Sequence, residues 1–325
     1  MYKIKIKNKK PIKSKLKLTH KRSENKYHLS SEQIDKIAAR FYNKEFRREP
    51  SSESPTFYFV GGAIGSGKTR RANNINNELT KTGKQPVPII DRDVLRTYHP
   101  NYHELKKEYP TNWVRKTDDV LKARDRILKR AARKRKSFIM ETTLATPGGI
   151  KNLAYAKNHG KVIIDVVSVD PLVSKTKAFI RYMKKAERID AGEKNVEDRY
   201  ENNNNLDRVL KAQEEIFNQI EKSFLADEIN FYDYEFKIMC SVSQVGGKWQ
   251  ITGGELDEKI LETLQGKSLY EIYRRIGETT KQSKLEEFIP DLVSRYNTFK
   301  KNHPKRTIPI KEIGRFIDTE LNSNK

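Results

Sequence analysis

The chain has 325 residues, of which 35% are hydrophobic and 34% charged, and its formal net charge is +23. That length suits one sizeable α/β core with an appendage, or two modest domains, and the charge suits either polyanionic partners or a lysine-rich solvated surface. The single cysteine, Cys240, excludes an internal disulfide and a cysteine-built zinc site, and no run approaches the roughly 20 apolar residues that span a bilayer.

Residues 1–29 read as a basic, disordered tail; Met1 to Arg22 lacks the apolar stretch of a secretory signal. Ser30 and Gln33 have capping-box spacing, and Ile34, Ile37, Ala38 and Phe41 follow on one helical face. A polar loop, Ser51 to Pro55, separates this helix from a short aromatic and β-branched strand, Phe57 to Val60. A glycine-rich turn and a helix from about Lys68 come next. Val87 to Ile90 is predicted as a second strand ending at Asp91. A helix after Thr117 is expected to bury Val120, Ile127, Leu128 and Ala131. Phe138 to Met140 and Val162 to Val169 are predicted as further strands, and Phe231 to Ile238 as one or two more. Runs apolar on both faces, separated by helices, indicate a parallel sheet covered on both sides.

Cys240 follows a strand-like run, which predicts a buried structural thiol and a cytoplasmic chain that does not depend on oxidation. Val245 to Thr252, with Gly246-Gly247, reads as a hairpin or loop. From Leu256 onward the apolar spacing is helical. The expected organisation is a tail (1–29), an α/β domain (30–245) and a mainly helical C-terminal region (246–325).

Gly62-Ala63-Ile64-Gly65-Ser66-Gly67-Lys68-Thr69 fits the Walker A pattern between a strand and a helix. Glycines let backbone N–H groups turn inward around a β-phosphate. Lys68 supplies a charge between the β- and γ-phosphates, Thr69 a hydroxyl for Mg²⁺, and the helix its positive N-terminal end. The loop predicts nucleoside triphosphate binding; by itself it does not separate a kinase from a GTPase or a motor.

Ligands of open parallel sheets bind beyond the carboxyl ends of the strands. Two predicted strand ends carry acids: Ile90-Asp91-Arg92-Asp93 and Met140-Glu141-Thr142-Thr143. A kinase needs a carboxylate to orient an acceptor hydroxyl and take its proton, which makes Asp93 the candidate base. Asp91 and Glu141 are candidates for positioning Mg²⁺-bound water or the acceptor, with helix capping an equal role for Asp91. Phosphoryl transfer also requires positive charge near the migrating group. The stretch Phe179 to Arg199 holds Arg181, Lys184, Lys185, Arg188, Lys194 and Arg199, where many nucleotide kinases carry a lid. Arg181 and Arg188 are the first candidates, against a solvated basic helix.

These residues resemble the zeta-toxin family of P-loop kinases. The likeness rests on the loop Gly62 to Thr69, on Asp91-Arg92-Asp93 continuing to His99-Pro100-Asn101-Tyr102, on Glu141-Thr142-Thr143, and on Ile180-Arg181-Tyr182 after Asp170-Pro171. It extends through Asp198-Arg199-Tyr200 and Phe231-Tyr232-Asp233, covering about 30–240. The resemblance implies an α/β P-loop kinase with a parallel sheet flanked by helices, here with a small C-terminal helical appendage. It also implies an ATP- and Mg²⁺-dependent enzyme acting on the sugar 3′-hydroxyl of UDP-N-acetylglucosamine. Asp93 then matches the base, Lys68 the phosphate lysine, Thr143 a substrate-site threonine and Arg181 an arginine reaching the ATP phosphates. Two departures stand out: Thr142 replaces a frequent glycine, and the second arginine falls to Arg188, Lys194 or Arg199.

A related branch phosphorylates NAD. The alternatives are therefore a kinase of NAD, another nucleotide or a polynucleotide end, and a non-catalytic ATP-binding effector. The polynucleotide version is disfavoured because no basic groove interleaved with aromatics is evident. The C-terminal region and the tail lie outside the likeness and are candidates for delivery into a target cell, an antitoxin contact or a host partner.

Overall fold

The computed structural model describes residues 27–109, 113–193, 196, 200 and 203–321. Its strands are β1 (Thr56–Gly62), β2 (Ile89–Ile90), β3 (Phe138–Glu141), β4 (Lys161–Val167), β5 (Glu228–Tyr232), β6 (Ile238–Val245) and β7 (Lys248–Gly253). Among the described residues they form one sheet in the order β2-β3-β1-β4-β5-β6-β7. The first five strands pair in parallel, with Phe57 beside Phe138 and Phe59 beside Ile164. Pairing turns antiparallel at β5–β6 and β6–β7. Side chains of β1, β3 and β4 are buried along nearly their whole length, as expected of a sheet covered on both faces. This is the expected P-loop kinase architecture.

The helices are α1 (Ser31–Glu45), α2 (Lys68–Lys81), α3 (Arg92–Arg96), α4 (Tyr102–Glu108), α5 (Trp113–Lys116), α6 (Val120–Arg133), α7 (Pro147–Lys157), α8 (Pro171–Asp190), α9 (Asn203–Ser223), α10 (Glu258–Leu264), α11 (Leu269–Thr279), α12 (Lys281–Asn302) and α13 (Thr307–Arg315), with a π turn at Phe316–Leu321. The α1 capping box is closed: Gln33 N donates to Ser30 Oγ (3.2 Å) and Ser30 N to Gln33 Oε1 (2.8 Å). Of the expected tail, residues 1–26 lie outside the described residues, whereas Tyr27 and Leu29 are buried.

Several boundaries differ from expectation, for local reasons. The second strand contains only Ile89 and Ile90. Pro88 has no N–H to give a ladder, and Asn76 ties up Val87 by accepting from its N–H (2.8 Å) and donating to its carbonyl (3.0 Å). The run Phe231 to Ile238 breaks at Asp233, whose Oδ1 accepts from the N–H groups of Glu235 and Lys237. Cys240 is buried, but inside β6 rather than after a strand. Gly246 and Gly247, both at positive φ, make the two-residue turn of the β6–β7 hairpin. The expected boundary at 245/246 falls in that turn, so the sheet runs past it.

One core lies between the sheet and helices α1, α6, α7, α9 and α11. A second surrounds α8 and takes Leu285, Phe288, Leu292 and Phe299 from α12 together with Ile313 and Phe316. Among the described residues no helix is long and apolar enough to cross a membrane.

Candidate active site

The glycine loop lies between the carboxyl end of β1 and the start of α2. Gly62, Gly65 and Gly67 hold φ values of 141°, 86° and 96°, in the region closed to most side chains. No side chain caps α2 at Gly67, so the N–H groups of its first turn face the loop. From α8, Ser174 Oγ donates to the Ile64 carbonyl (2.6 Å) and pins the loop. Lys68 Nζ donates back to the carbonyls of Gly62 (3.1 Å) and Ala63 (2.6 Å), and burial lowers its pKa to about 8.

Beside the loop, Thr69 Oγ1 donates to Glu141 Oε2 (3.0 Å). The other oxygen, Glu141 Oε1, is buried without a hydrogen-bond partner. Burial, then the Asp91 carboxylate, raise the Glu141 pKa to about 7. Among the described residues no three His, Cys, Asp or Glu side chains converge as a metal cage. One hydroxyl and one orphaned carboxylate oxygen at a phosphate loop nevertheless fit Mg²⁺, which keeps several waters and takes few protein ligands.

The two acids of the Asp-Arg-Asp run have different places. Asp91 caps α3, its Oδ1 accepting from Asp93 N (2.7 Å), and burial raises its pKa. It lines a smaller cavity of 400 Å³ that shares Thr69 and Glu141 with the main cleft. Asp93 lines the main cleft itself, a space of 1570 Å³. Its Oδ1 accepts from Arg96, a buried side chain that also donates to Thr117 Oγ1 (3.2 Å) and Asp118 Oδ1 (3.1 Å). Arg96 thus aims the candidate base. His99 does not line the cleft: its ring is buried between the Tyr27 carbonyl (3.2 Å from Nε2) and Asn101 N, which donates to Nδ1 (3.1 Å). That pattern assigns the proton to Nε2, and burial lowers the His99 pKa.

Thr143 lines the cleft on the loop after β3. Its carbonyl accepts from Gln213 Nε2 (2.9 Å), and Gln213 Oε1 accepts from the Tyr273 hydroxyl (3.3 Å). The next residue, Leu144, has a φ of 48° and packs directly over Gly61, where a Cβ would lie 2.3 Å from Leu144 Cδ1.

Arg181 and Arg188 both line the cleft from α8. Arg181 is close enough to contribute to the lowered pKa of Lys68. Arg188 is half-exposed and paired with Glu193, its Nε donating to Oε2 (2.6 Å). Lys194 and Arg199, the other candidates for a second arginine, lie outside the described residues. Among the described lining residues eleven are Lys or Arg and three are Asp or Glu, so the cleft attracts anions. Sequence reasoning missed Arg96, although it stands one helical turn after Asp93. It also missed Ser174, Gln213 and Arg208, and the segment Lys305 to Pro309, all placed by tertiary packing.

The sequence model of the zeta toxin family matches residues 41–240, more than half the chain. Toxin PezT of Streptococcus pneumoniae serotype 4 is 32% identical over 139 residues, 42% of this chain and 53% of that toxin. Toxin zeta of Streptococcus agalactiae is 41% identical over 63 residues, 19% of this chain and 21% of that toxin. The chain therefore spans about half the length of the first of these relatives and about a fifth of the second. A solved structure from the PezAT chromosomal toxin-antitoxin system of Streptococcus pneumoniae superposes with a TM-score of 0.62 at 20% identity, over 84% of this chain and 98% of that one. At that identity the likeness speaks for the fold.

Proposed function

The chain belongs to the zeta toxin family, and from that premise we propose that it is an ATP-dependent kinase that phosphorylates the sugar 3′-hydroxyl of UDP-N-acetylglucosamine. The observation that carries the reading is the meeting of two groups in one cleft. A phosphate loop with Lys68 and the Thr69–Glu141 pair stands at one side, and Asp93, aimed by the buried Arg96, lines the same space.

The loop amides from Gly62 to Thr69 hold the triphosphate. Lys68 exchanges its contacts with the Gly62 and Ala63 carbonyls for the β- and γ-phosphate oxygens. Thr69 and Glu141 would hold Mg²⁺, which would supply neutralising charge to those oxygens. Asp93 accepts the proton of the acceptor hydroxyl as its oxygen bonds to the γ-phosphorus and the bond to the β-phosphate oxygen breaks, releasing ADP. Arg181 stabilises charge on the migrating group, with Arg188 further along α8. Thr143 and the loop after β3 position the acceptor.

In this reading the kinase unit is the 30–245 segment together with β7 and the cleft-lining residues 305–309, and the proposed location is the cytoplasm of the producing or a target cell. Because relatives are toxins and one is named with a toxin-antitoxin system, a protein antitoxin is the proposed partner.

The test offers ATP-Mg²⁺ with UDP-N-acetylglucosamine, NAD and a single-stranded oligonucleotide in parallel, with Lys68→Ala and Asp93→Asn as controls. Phosphorylation of the nucleotide sugar by the wild type and by neither variant is expected. Label in NAD or the oligonucleotide alone would overturn the acceptor, and full turnover by Asp93→Asn would overturn the mechanism.

A further inference from the structure

The cleft has a wall that the family match does not contain. The chain turns at residues 303–306 between α12 and α13, and this turn together with the first residues of α13 makes an elbow, 303–309, from which Lys305, Arg306, Thr307, Ile308 and Pro309 all line the same 1570 Å³ space as Lys68 and Asp93. Sites for small molecules usually occupy about 300–1,000 Å³. This cleft therefore has room for a nucleotide and a second sizeable molecule side by side.

The elbow is built rather than draped. Arg306 Nη1 donates to the Tyr182 hydroxyl (2.8 Å), and Tyr182 is the neighbour of Arg181 on α8. His303 Nε2 lies 2.9 Å from Asp190 Oδ2 at the far end of that helix. The Tyr296 hydroxyl donates to the Ile310 carbonyl (3.1 Å), and the Tyr200 hydroxyl donates to Glu312 Oε2 (2.7 Å). Gly314 sits so close to Tyr296 that a Cβ would lie 2.5 Å from its hydroxyl oxygen. Against this frame Ile308 stands 64% exposed while facing a cleft rich in cations. A large apolar side chain presented there, beside Lys305, has the makeup of a ligand contact: apolar surface with a charged group at its edge.

Resting on the kinase reading, we infer that the elbow at 303–309 is the acceptor wall of the cleft. In this assignment Ile308 packs on the uncharged part of the acceptor and Lys305 pairs with its anionic group, so that this C-terminal segment sets acceptor specificity. The nucleotide half is held by the glycine loop and does not use it.

The experiment compares the full-length wild type with Ile308→Glu and Lys305→Glu. Both substituted side chains are exposed, and a thermal unfolding midpoint confirms folding. Transfer of γ-phosphate from labelled ATP is measured with two acceptor probes: UDP-N-acetylglucosamine, and a deproteinised bacterial metabolite extract used at serial dilution. The amount of probe giving half-maximal transfer rises about tenfold or more in Ile308→Glu, as expected when an unpaired charge meets an apolar contact. KM for ATP stays within about twofold. Unchanged half-saturation in both variants overturns the elbow assignment alone, and so does an equal rise in KM for ATP. Label in the extract but not in UDP-N-acetylglucosamine overturns the acceptor named above and leaves the elbow to be judged on the extract. A wild type that labels neither probe overturns the kinase reading and this inference with it.

Discussion

Removing the carboxylate of Asp165 tests how the phosphate loop is braced. Asp165 lies on β4 and Arg71 on α2, one turn after Lys68, and both side chains are almost fully buried. Asp165 Oδ2 accepts from Arg71 Nε (2.8 Å) and Nη2 (2.7 Å), and Asp165 Oδ1 accepts from Asn230 Nδ2 (3.1 Å). The guanidinium also stacks 4.1 Å from the Tyr232 ring centroid. Breaking such a pair by deleting one partner costs about 3–5 kcal/mol, because a buried charge loses its counterion. Arg71 keeps a second partner, the half-exposed Glu78, whose Oε2 accepts from Nη2 (2.9 Å). The lower end, about 3 kcal/mol, is therefore expected for Asp165→Ala. With about 2.1 cal/mol/K of unfolding entropy per residue over 325 residues, that lowers Tm by roughly 4–5 °C. The double variant Arg71→Met/Asp165→Leu removes both charges and fills the space, and it should recover most of the loss. Calorimetry reads both values. A Tm for Asp165→Ala within 2 °C of wild type would refute the argument, as would a double variant less stable than the single.

Four further outcomes are expected. Asp93→Asn should lower kcat by about 10²- to 10⁴-fold, the usual contribution of a positioned base, with Tm nearly unchanged because Asp93 is a half-exposed cleft residue; stopped-time product assays decide it. Gln213→Leu leaves the Thr143 carbonyl without its donor, a loss of about 1–3 kcal/mol, read as a raised KM for the acceptor with KM for ATP held. Burial raises the Glu49 pKa from 4.5 to about 7. A carboxyl whose pKa is raised on folding contributes stability that is present below its unfolded pKa and lost as pH rises through the folded value. Urea unfolding midpoints should therefore fall between about pH 4.5 and 7 in the wild type, and Glu49→Gln should flatten that slope. His99 has the opposite sign: its lowered pKa means that stability is lost as pH falls below the ordinary histidine value. His99→Gln should be less sensitive to pH below the ordinary histidine value of about 6.5.

The features legible in the sequence are those whose cause is local. A glycine run between a strand and a helix takes one backbone shape wherever it occurs, so Gly62 to Thr69 could be read directly. The Ser30–Gln33 box, the cap at Asp91 and the Gly246-Gly247 turn are likewise contacts within a few residues. The continuous apolar runs of β1, β3 and β4 needed no partner to announce a covered sheet. Local reading failed where a distant side chain competed for the backbone, as Asn76 does at Val87.

The rest of the site depended on which elements came to lie side by side. Ser174 reaches Ile64 across 110 residues, Arg71 reaches Asp165 across 94, and Arg306 reaches Tyr182 across 124. Each is a polar residue whose sequence neighbours say nothing of its partner. Periodicity reports which face of a helix is apolar, but not what packs against its polar face. Sequence alone therefore determined a phosphate loop, two acidic strand ends and a parallel sheet. The closed tertiary structure decided that Asp93 shares the cleft while Asp91 caps a helix beside it, and that residues 303–309 return from outside the family match to wall the same space.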